Sequence, residues 1–256
     1  MNMFHVKHTV SSLSSYPKKI EPVSPFIWHF LYSLVRLVVL TADEISYLRE
    51  GASGYGITLG RDALDLFNRY HTLLSSWHVL MNLVSHRDMK RLVPYHFLDS
   101  LKLASCYDFS LARVALDFGS GAGFPGIPLS LAFPSLETYL IDSRDKRCRF
   151  LDAAVESLGI HAHVIRSRVE NLPLSFSRQF DCVLTRGTVS LKTFFLLCER
   201  FISSGGVLAA VKGDDIMEEL DELRTTCNMS VFNITSTVPP FVHGVRSGNI
   251  ITITRQ

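Results

Sequence analysis

The chain has 256 residues, of which 47% are hydrophobic and 20% are charged, with a formal net charge of +2. This length and composition exclude a disordered chain and fit one large domain, or one domain with a helical appendage. So small a net charge also excludes a protein that coats nucleic acid with its whole surface, so an RNA partner would have to meet a local basic patch.

The first forty residues are predicted to be a disordered extension, or one that results from a mis-assigned start. Residues 9–25 are rich in Ser, Pro and Lys, which is typical of disorder. The hydrophobic run 26–40 is shorter than the roughly 20 residues of a membrane-spanning helix and contains charged and polar side chains, so no membrane anchor is expected. The peptide at residues 3–8 is one that a palindromic chromosome-partition site would encode, which suggests the hypothesis that translation starts further downstream.

Residues 41–110 follow with a helical pattern. Thr41, followed by Ala42, Asp43 and Glu44, predicts the N-cap and the first turn of a helix. Further on, apolar side chains recur at steps of three and four residues, which predicts an amphipathic helix. These side chains are Leu64, Phe67, Tyr70, Leu74, Trp77 and Leu80. No strand-like alternation interrupts them, so residues 41–110 are predicted to form a helical N-terminal region.

Residues 111–256 alternate short apolar runs with helix-like segments. The predicted strands are 114–118, 138–141, 162–165, 180–184 and 206–211, and helices are predicted at 146–158 and 190–202. This alternation predicts a parallel sheet covered on both faces. Two more strand-like runs, 230–238 and 249–254, have only a turn region between them and predict an antiparallel C-terminal hairpin. The predicted fold class is therefore α/β, with a Rossmann-like sheet.

A glycine-rich turn follows the first predicted strand, with the sequence Asp117-Phe118-Gly119-Ser120-Gly121-Ala122-Gly123-Phe124-Pro125-Gly126. Glycines at this place let the backbone turn sharply and let a ligand approach closely. The spacing formally satisfies the dinucleotide-binding pattern Gly-x-Gly-x-x-Gly, with Asp142 further downstream. A nicotinamide-dependent dehydrogenase, and a turn that only caps a helix, are alternatives that the glycines alone leave open.

Three acidic positions favour S-adenosylmethionine as the ligand of this turn. Asp117 precedes the glycines and would supply a counter-charge to the ammonium or sulfonium group. Asp142 ends the second predicted strand, where it is expected to accept hydrogen bonds from both ribose hydroxyls. Val169 and Glu170 follow the third strand, where the edge of the adenine is expected.

The order of these motifs resembles one family, the bacterial ribosomal RNA small subunit methyltransferase G family, also called glucose-inhibited division protein B. The resemblance covers roughly residues 41–254 and includes the unusual Phe-Pro-Gly-Ile-Pro end of the turn at 124–128. The other similar segments are Asp142-Ser143, Ser167-Arg168-Val169-Glu170, Thr185-Arg186-Gly187, Val211-Lys212-Gly213, and, upstream, Trp77, Asn82-Leu83 and His96-Phe97-Leu98-Asp99. This chain departs from the family at Val84 and Gly187, where the family often has Thr and usually has Ala, which leaves the fine positioning of the site open.

The resemblance implies a cytoplasmic enzyme that uses S-adenosylmethionine to methylate N7 of a guanine in 16S ribosomal RNA. Its partner would be 16S ribosomal RNA or the small ribosomal subunit, and we expect a monomer. Resemblance and position together give these cofactor-binding residues: Asp117, Gly119, Gly121, Gly123, Phe124, Asp142, Ser143, Val169, Glu170 and Arg186. An RNA-binding protein that senses the cofactor without turnover is the alternative from a different class.

Guanine N7 has a nucleophilic lone pair, so the reaction needs alignment and desolvation but no general base. Arg186, at the end of the fourth strand, is the predicted catalytic residue that orients the cofactor or guanine O6, and Lys212, after the fifth strand, is a second candidate for contact with phosphate or base. His96 and Asp99 either line the pocket or contact RNA, or they instead serve helix packing and a salt bridge within the helical region. The five cysteines lack any Cys-x-x-Cys pair, and no metal site is predicted.

Two basic clusters are candidates for contact with RNA phosphates, although clusters of this size are often only solvated helix faces. The clusters are Arg87, Lys90 and Arg91, and Arg144, Lys146, Arg147 and Arg149.

Overall fold

A computed structural model of the chain describes residues 39–187 and 189–256. The predicted N-terminal extension, with nearly all of the hydrophobic run 26–40, lies outside the described residues, so its disorder and its start stay predictions. Within the described part of the chain, no helix is long and apolar enough to cross a membrane.

The N-terminal part is helical, as predicted. It contains α1 (Ala42–Gly54), α2 (Arg61–Met81), α3 (His86–Met89), a π-helix (Val93–Leu98), α4 (Asp99–Leu101) and a 3-10 helix (Lys102–Ser105). The predicted start of α1 is confirmed, because the Thr41 hydroxyl accepts a hydrogen bond from the Glu44 N–H while the Glu44 carboxylate accepts one from the Thr41 N–H at 2.9 Å. This reciprocal pair forms a capping box and explains why the helix begins there.

The rest of the chain forms a seven-stranded sheet with the order β3-β2-β1-β4-β5-β7-β6. The strands are β1 (Val114–Phe118), β2 (Glu137–Asp142), β3 (Ala162–Arg166), β4 (Phe180–Arg186), β5 (Ile202–Lys212), β6 (Phe232–Thr237) and β7 (Asn249–Arg255). Strands β1 to β5 are parallel, whereas β7 pairs antiparallel with both β5 and β6. The predicted parallel sheet with an antiparallel C-terminal hairpin is therefore confirmed.

Helices cover both faces of this sheet. They are α5 (Gly126–Ala132), α6 (Asp145–Leu158), α7 (Leu191–Cys198) and α8 (Met217–Thr226), with short 3-10 helices at Val169–Asn171 and Leu174–Phe176. Successive side chains of a strand point to opposite faces. Accordingly, Ala115 and Leu184 belong to a core shared with α5, α6 and the helical region, whereas Leu116 and Val183 belong to a second core with α7 and α8.

One helix ends earlier than the sequence predicts. The helix predicted at 190–202 ends at Cys198, and β5 already begins at Ile202. The carbonyl of Phe201 accepts hydrogen bonds from the N–H groups of Gln179 and Phe180, so pairing with the start of β4 replaces the last helical turn. Phe201 and Ile202 are both fully buried, and apolar periodicity alone does not distinguish a buried strand from a helix end.

The sheet order determines where a ligand can bind. β1 lies between β2 and β4, and the helical connections on its two sides diverge from this point. Ligands of open α/β sheets bind in the crevice beyond the carboxyl ends of the strands where the order reverses. The glycine-rich turn that follows β1 stands at this crevice.

Candidate functional site

The glycine-rich turn adopts a backbone that its glycines make possible. Gly119, Gly121 and Gly123 have φ angles of +73°, +61° and +95°. These values lie in the left-handed region, which other residues adopt only at a cost of roughly 1–2 kcal/mol. The turn is anchored to β2, because the N–H of Ser120 donates to the carbonyl of Ile141 at 2.9 Å. Helix α2 supports it from the other side, where the Tyr70 hydroxyl donates to the carbonyl of Ala122.

Asp117 is fully buried where β1 meets this turn. Its Oδ2 accepts a hydrogen bond from the N–H of Gly126 at 3.0 Å, which closes the turn onto the strand. Its Oδ1 has no hydrogen-bond partner among the described residues. Burial raises the pKa of Asp117 to about 7, although the Gly126 and Ser120 hydrogen bonds and the charge of Arg186 oppose the shift. A buried carboxylate oxygen without a partner fits a cationic ligand group.

Asp142, at the end of β2, is only 5% exposed and already accepts three hydrogen bonds. Its Oδ2 accepts from the Gly121 N–H at 3.0 Å and from Arg147 Nη1 at 3.2 Å, and its Oδ1 accepts from the Arg144 N–H at 2.8 Å. Because a carboxylate offers about four acceptor positions, two ribose hydroxyls require Arg147 to withdraw. The side chain of Arg147 is 37% exposed and has room to do so.

The remaining predicted cofactor residues lie around the same crevice. Ser143 is exposed directly after β2, and Glu170 is exposed on the 3-10 helix after β3, where its neighbour Val169 is buried. Phe124 is buried at the end of the glycine-rich turn, against the rings of Tyr70 and His96. All of them follow the carboxyl ends of β1, β2 or β3, as the sequence order predicts.

Arg186, at the end of β4, reaches across to the helical region. Its Nη1 donates to the Tyr95 carbonyl at 2.9 Å and to Asp99 Oδ2 at 3.0 Å, and its Nη2 donates to His96 Nδ1 at 2.7 Å. The guanidinium carbon lies 5.0 Å from the centre of the Phe124 ring. An arginine has five N–H donors. Two of them therefore remain for a ligand, counting partners among the described residues.

The partners of Arg186 form a buried polar network that we call the Arg186 anchor, consisting of Arg186, His96, Asp99 and Lys102. Lys102 Nζ lies 2.7 Å from Asp99 Oδ1, and its side chain is only 1% exposed. Burial and the neighbouring Arg186 lower the pKa of His96 to about 3. His96 is therefore neutral and, because Nδ1 is an acceptor, its proton is on Nε2.

The sequence left His96 and Asp99 open between contact with the pocket or RNA and helix packing with a salt bridge in the helical region. The structure joins both to Arg186 and also gives Asp99 a salt bridge to Lys102. No pattern in the sequence indicated Lys102, because a lysine in a helical run is usually solvated. The bond from Arg186 to Asp99 spans 87 positions, which no local pattern encodes.

Lys212, the second predicted catalytic residue, is largely buried at the end of β5. Its Nζ donates to the Val189 carbonyl at 2.6 Å and to Glu219 Oε2 at 2.8 Å. The same Glu219 oxygen accepts from the Leu191 N–H at 2.7 Å, so Lys212 joins β5 to the starts of α7 and α8. These contacts favour a positioning role, and a catalytic role for Lys212 stays a prediction.

A cluster of aromatic and basic side chains, of which Arg246 is exposed and Arg91 and Tyr95 are half-buried, borders the Arg186 anchor. The guanidinium carbons of Arg91 and Arg246 lie 3.7 Å and 4.6 Å from the centre of the Tyr95 ring. Asp88 Oδ1 accepts from both arginines, at 3.4 Å and 3.2 Å. We call Arg91, Tyr95 and Arg246 the arginine–tyrosine cluster. The sequence indicated Arg91 but missed Arg246, which the C-terminal hairpin brings to the same surface.

The second predicted basic cluster lies at the start of α6. Arg147 pairs with Asp142, and Arg149 pairs with Asp145 at 2.8 Å. Arg144 and Lys146 are exposed. This cluster is therefore partly engaged in ion pairs, one with the end of β2 and one within α6.

The chain resembles proteins of known description over most of its length. Residues 63–246 match the family model described as rRNA small subunit methyltransferase G. A ribosomal RNA small subunit methyltransferase G from Lachnoclostridium phytofermentans is 35% identical over 176 residues, which cover 68% of this chain and 73% of the relative. The protein of the same name from Geobacillus kaustophilus is 35% identical over 202 residues, covering 75% of this chain and 83% of that relative. One from Staphylococcus epidermidis is 33% identical over 196 residues, covering 76% and 82%.

Proposed function

The chain belongs to the rRNA small subunit methyltransferase G family, and we propose that it transfers a methyl group from S-adenosylmethionine to N7 of a guanine in 16S ribosomal RNA. The observation that carries the proposal is the glycine-rich turn, held between the buried Asp117 and Asp142 at the carboxyl ends of β1 and β2. Family membership does not favour the two alternatives raised above, a dehydrogenase and an RNA-binding protein without turnover.

The residues around the crevice fit S-adenosylmethionine. Asp117 Oδ1, which has no partner among the described residues, suits a cationic group, and Asp142 suits both ribose hydroxyls once Arg147 withdraws. When bound, the cofactor supplies a methyl group that the positive charge of its sulfonium activates. The other proposed contacts are Gly119, Gly121, Gly123, Phe124, Ser143, Val169, Glu170 and Arg186.

Because guanine N7 needs no deprotonation, the protein's task is to orient the base and exclude water. Arg186 is suited to this task, since three contacts fix its guanidinium and two N–H donors remain for guanine O6 or for the cofactor. His96, with a pKa of about 3, stays a neutral acceptor at pH 7 and holds Arg186 without competing for a proton. Lys212 has one ammonium N–H left beyond its two described contacts, which is why it remains a secondary candidate.

The arginine–tyrosine cluster is the proposed contact surface for RNA. RNA is recognised mainly at unstacked bases, which stack on aromatic rings and guanidinium planes. Tyr95 connects this surface to the Arg186 anchor, because its ring contacts Arg91 and Arg246 while its carbonyl accepts a hydrogen bond from Arg186. Arg87 and Lys90 are exposed on the same part of the helical region and add positive charge. We propose that the protein acts as a monomer in the cytoplasm, on 16S ribosomal RNA or the small ribosomal subunit.

The test is transfer of a tritiated methyl group from S-adenosylmethionine to small ribosomal subunits and to naked 16S ribosomal RNA, both from cells that lack the modification. We expect incorporation at a single guanine, mapped by chain cleavage at N7-methylguanine. Labelling of another RNA, or of neither substrate by protein that binds the cofactor, would refute the proposed substrate and leave only the family and the fold.

A further inference from the structure

Two histidines and a glutamate converge at the edge of the sheet opposite the crevice. Glu137 begins β2, His161 directly precedes the edge strand β3, and His163 is the second residue of β3. One metal-ligating atom from each of the three side chains lies within 4.8 Å of the others. Nothing in the proposed methyl transfer uses these residues.

The sequence and the strand register explain the convergence. Side chains two positions apart on a strand share a face, so Glu137 and Tyr139 point to the same side of β2. The rings of His161 and His163 also lie together, with their centres 5.8 Å apart. Tyr139 pairs with His163 in the parallel register of β2 and β3, and the Thr138 N–H donates to the His161 carbonyl at 3.0 Å. The pattern His-x-His at the beginning of β3 thus lies beside Glu-x-Tyr on β2.

From this geometry we propose that Glu137, His161 and His163 bind a zinc ion. Imidazole nitrogens with a carboxylate oxygen are a ligand set typical of Zn²⁺, whereas Mg²⁺ and Ca²⁺ prefer oxygen ligands alone. Three protein ligands leave the fourth position of the tetrahedron to water. In such a site neighbouring ligand atoms are about 3.4 Å apart, for metal–ligand bonds of about 2.1 Å. His163 Nε2 and Glu137 Oε1 are 3.0 Å apart, and all three ligand atoms lie within 4.8 Å of one another, so side-chain rotations have to change these distances by at most about 1.4 Å.

The neighbourhood supports the ligands without blocking them. The Tyr139 hydroxyl donates to Glu137 Oε1 at 2.9 Å, which orients the carboxylate in the way that outer-shell groups orient metal ligands. The side chains of His163 and Glu137 are 49% and 25% exposed, so the ion has a path from solvent. Binding replaces the hydrogen bond between His163 and Glu137, and the imidazole proton moves to Nδ1 if Nε2 binds the metal.

The site is separate from the methyl-transfer crevice. Glu137 and Asp142 are the first and last residues of β2, and five steps along a strand span about 16 Å. We therefore assign the zinc ion the role of fastening the edge strand β3 to β2. A metal that binds the folded state alone raises the unfolding temperature.

The test is a titration of the full-length protein, first freed of metal with a chelator, with Zn²⁺ by calorimetry and by thermal unfolding. We expect a 1:1 site that Mg²⁺ does not occupy, and a rise in unfolding temperature with Zn²⁺. His161→Ala together with His163→Ala is expected to lower the affinity by more than about tenfold, since even outer-shell changes cost about 10–100-fold.

The matched control is His243→Ala, which removes an exposed histidine elsewhere and is expected to leave the titration unchanged. The N-terminal histidines His5, His8 and His29 remain in every variant, so any zinc that they bind cancels in the comparison. Glu137→Gln provides an independent test, because it keeps the shape of the side chain but removes the charge. Equal zinc affinity and equal thermal shift in parent, double variant and Glu137→Gln would overturn the proposal.

Discussion

The two sides of the crevice are built in different ways. On one side, the glycine-rich turn is held by backbone conformations and by hydrogen bonds between Asp117, Asp142 and the turn itself. On the other side, the Arg186 anchor joins side chains 87 to 90 positions apart across a buried interface. The turn is therefore local in sequence and the anchor is not. We expect changes to the turn to act mainly on activity, and changes to the anchor to act mainly on stability.

The largest effect on stability is expected from Asp99→Asn, which breaks the anchor. Asp99 balances both Lys102 and Arg186, so its loss leaves two largely buried cations without a counter-charge. Removing one partner of a buried ion pair typically costs about 3–5 kcal/mol. Unfolding by urea at neutral pH measures this change.

The control for Asp99→Asn is Asp145→Asn. Asp145 also pairs with two arginines, but its side chain is 48% exposed. Exposed ion pairs contribute about 0–1 kcal/mol, so this variant should unfold nearly as the parent does. Similar losses in both variants would show that burial of the anchor contributes nothing to stability.

The turn is tested by Gly119→Arg, compared with Gly205→Arg. The two glycines have nearly equal φ angles, +73° and +74°, so both variants carry a similar backbone strain. Gly205 is exposed and has open space around it, whereas Gly119 faces the crevice after β1. Methyl transfer should fall by more than about 100-fold in Gly119→Arg, as expected for a misplaced reactant, and by little in Gly205→Arg. Equal activities would mean that the turn does not hold the cofactor.

This contrast also shows what the sequence could predict. The strands, the glycine-rich turn and Asp142 follow from local apolar runs and glycine spacing, and the structure contains all of them. Lys102 gave no such signal, because a lysine in a helical run is usually solvated, although its partner Asp99 is only three positions away. Arg246 gave none because its partner Asp88 lies 158 positions away along the chain. Even the end of α7 was misplaced, since Phe201 and Ile202 are buried equally well in a strand and in a helix.

The charge of the turn is tested by Asp117→Asn. Because the pKa of Asp117 is raised to about 7 in the folded protein, the folded state holds a proton between about pH 4 and 7 that the unfolded state has lost. Stability contributed by this group is therefore fully present below about pH 4 and is lost progressively as the pH rises to about 7, by on the order of 4 kcal/mol in all. The amide stays neutral but must place a new N–H group, at about 1–3 kcal/mol, so a net gain of about 2 kcal/mol at pH 8 is expected.

The measurement is urea unfolding of the cofactor-free protein at pH 5 and pH 8. Asp117→Asn should be the more stable protein only at pH 8, while its affinity for S-adenosylmethionine falls. In the parent, that affinity should rise between pH 6 and pH 8, since a cationic ligand prefers the ionised carboxylate. A variant that is less stable than the parent at both pH values would contradict the burial of an ionisable Asp117.

The smallest effect is expected from Arg147→Ala, which removes the side chain that occupies Asp142. If Arg147 must withdraw before Asp142 can accept ribose hydroxyls, its removal tightens cofactor binding by a few-fold at most, because partly exposed ion pairs contribute about 0–1 kcal/mol. Arg149→Ala is the matched control, since Arg149 lies on the same helix and pairs with Asp145 instead. Calorimetric titration with S-adenosylhomocysteine separates the two variants. Weaker binding in Arg147→Ala alone would mean that Arg147 stays in place and itself contacts the ligand, so that Asp142 would serve the ribose through one hydroxyl.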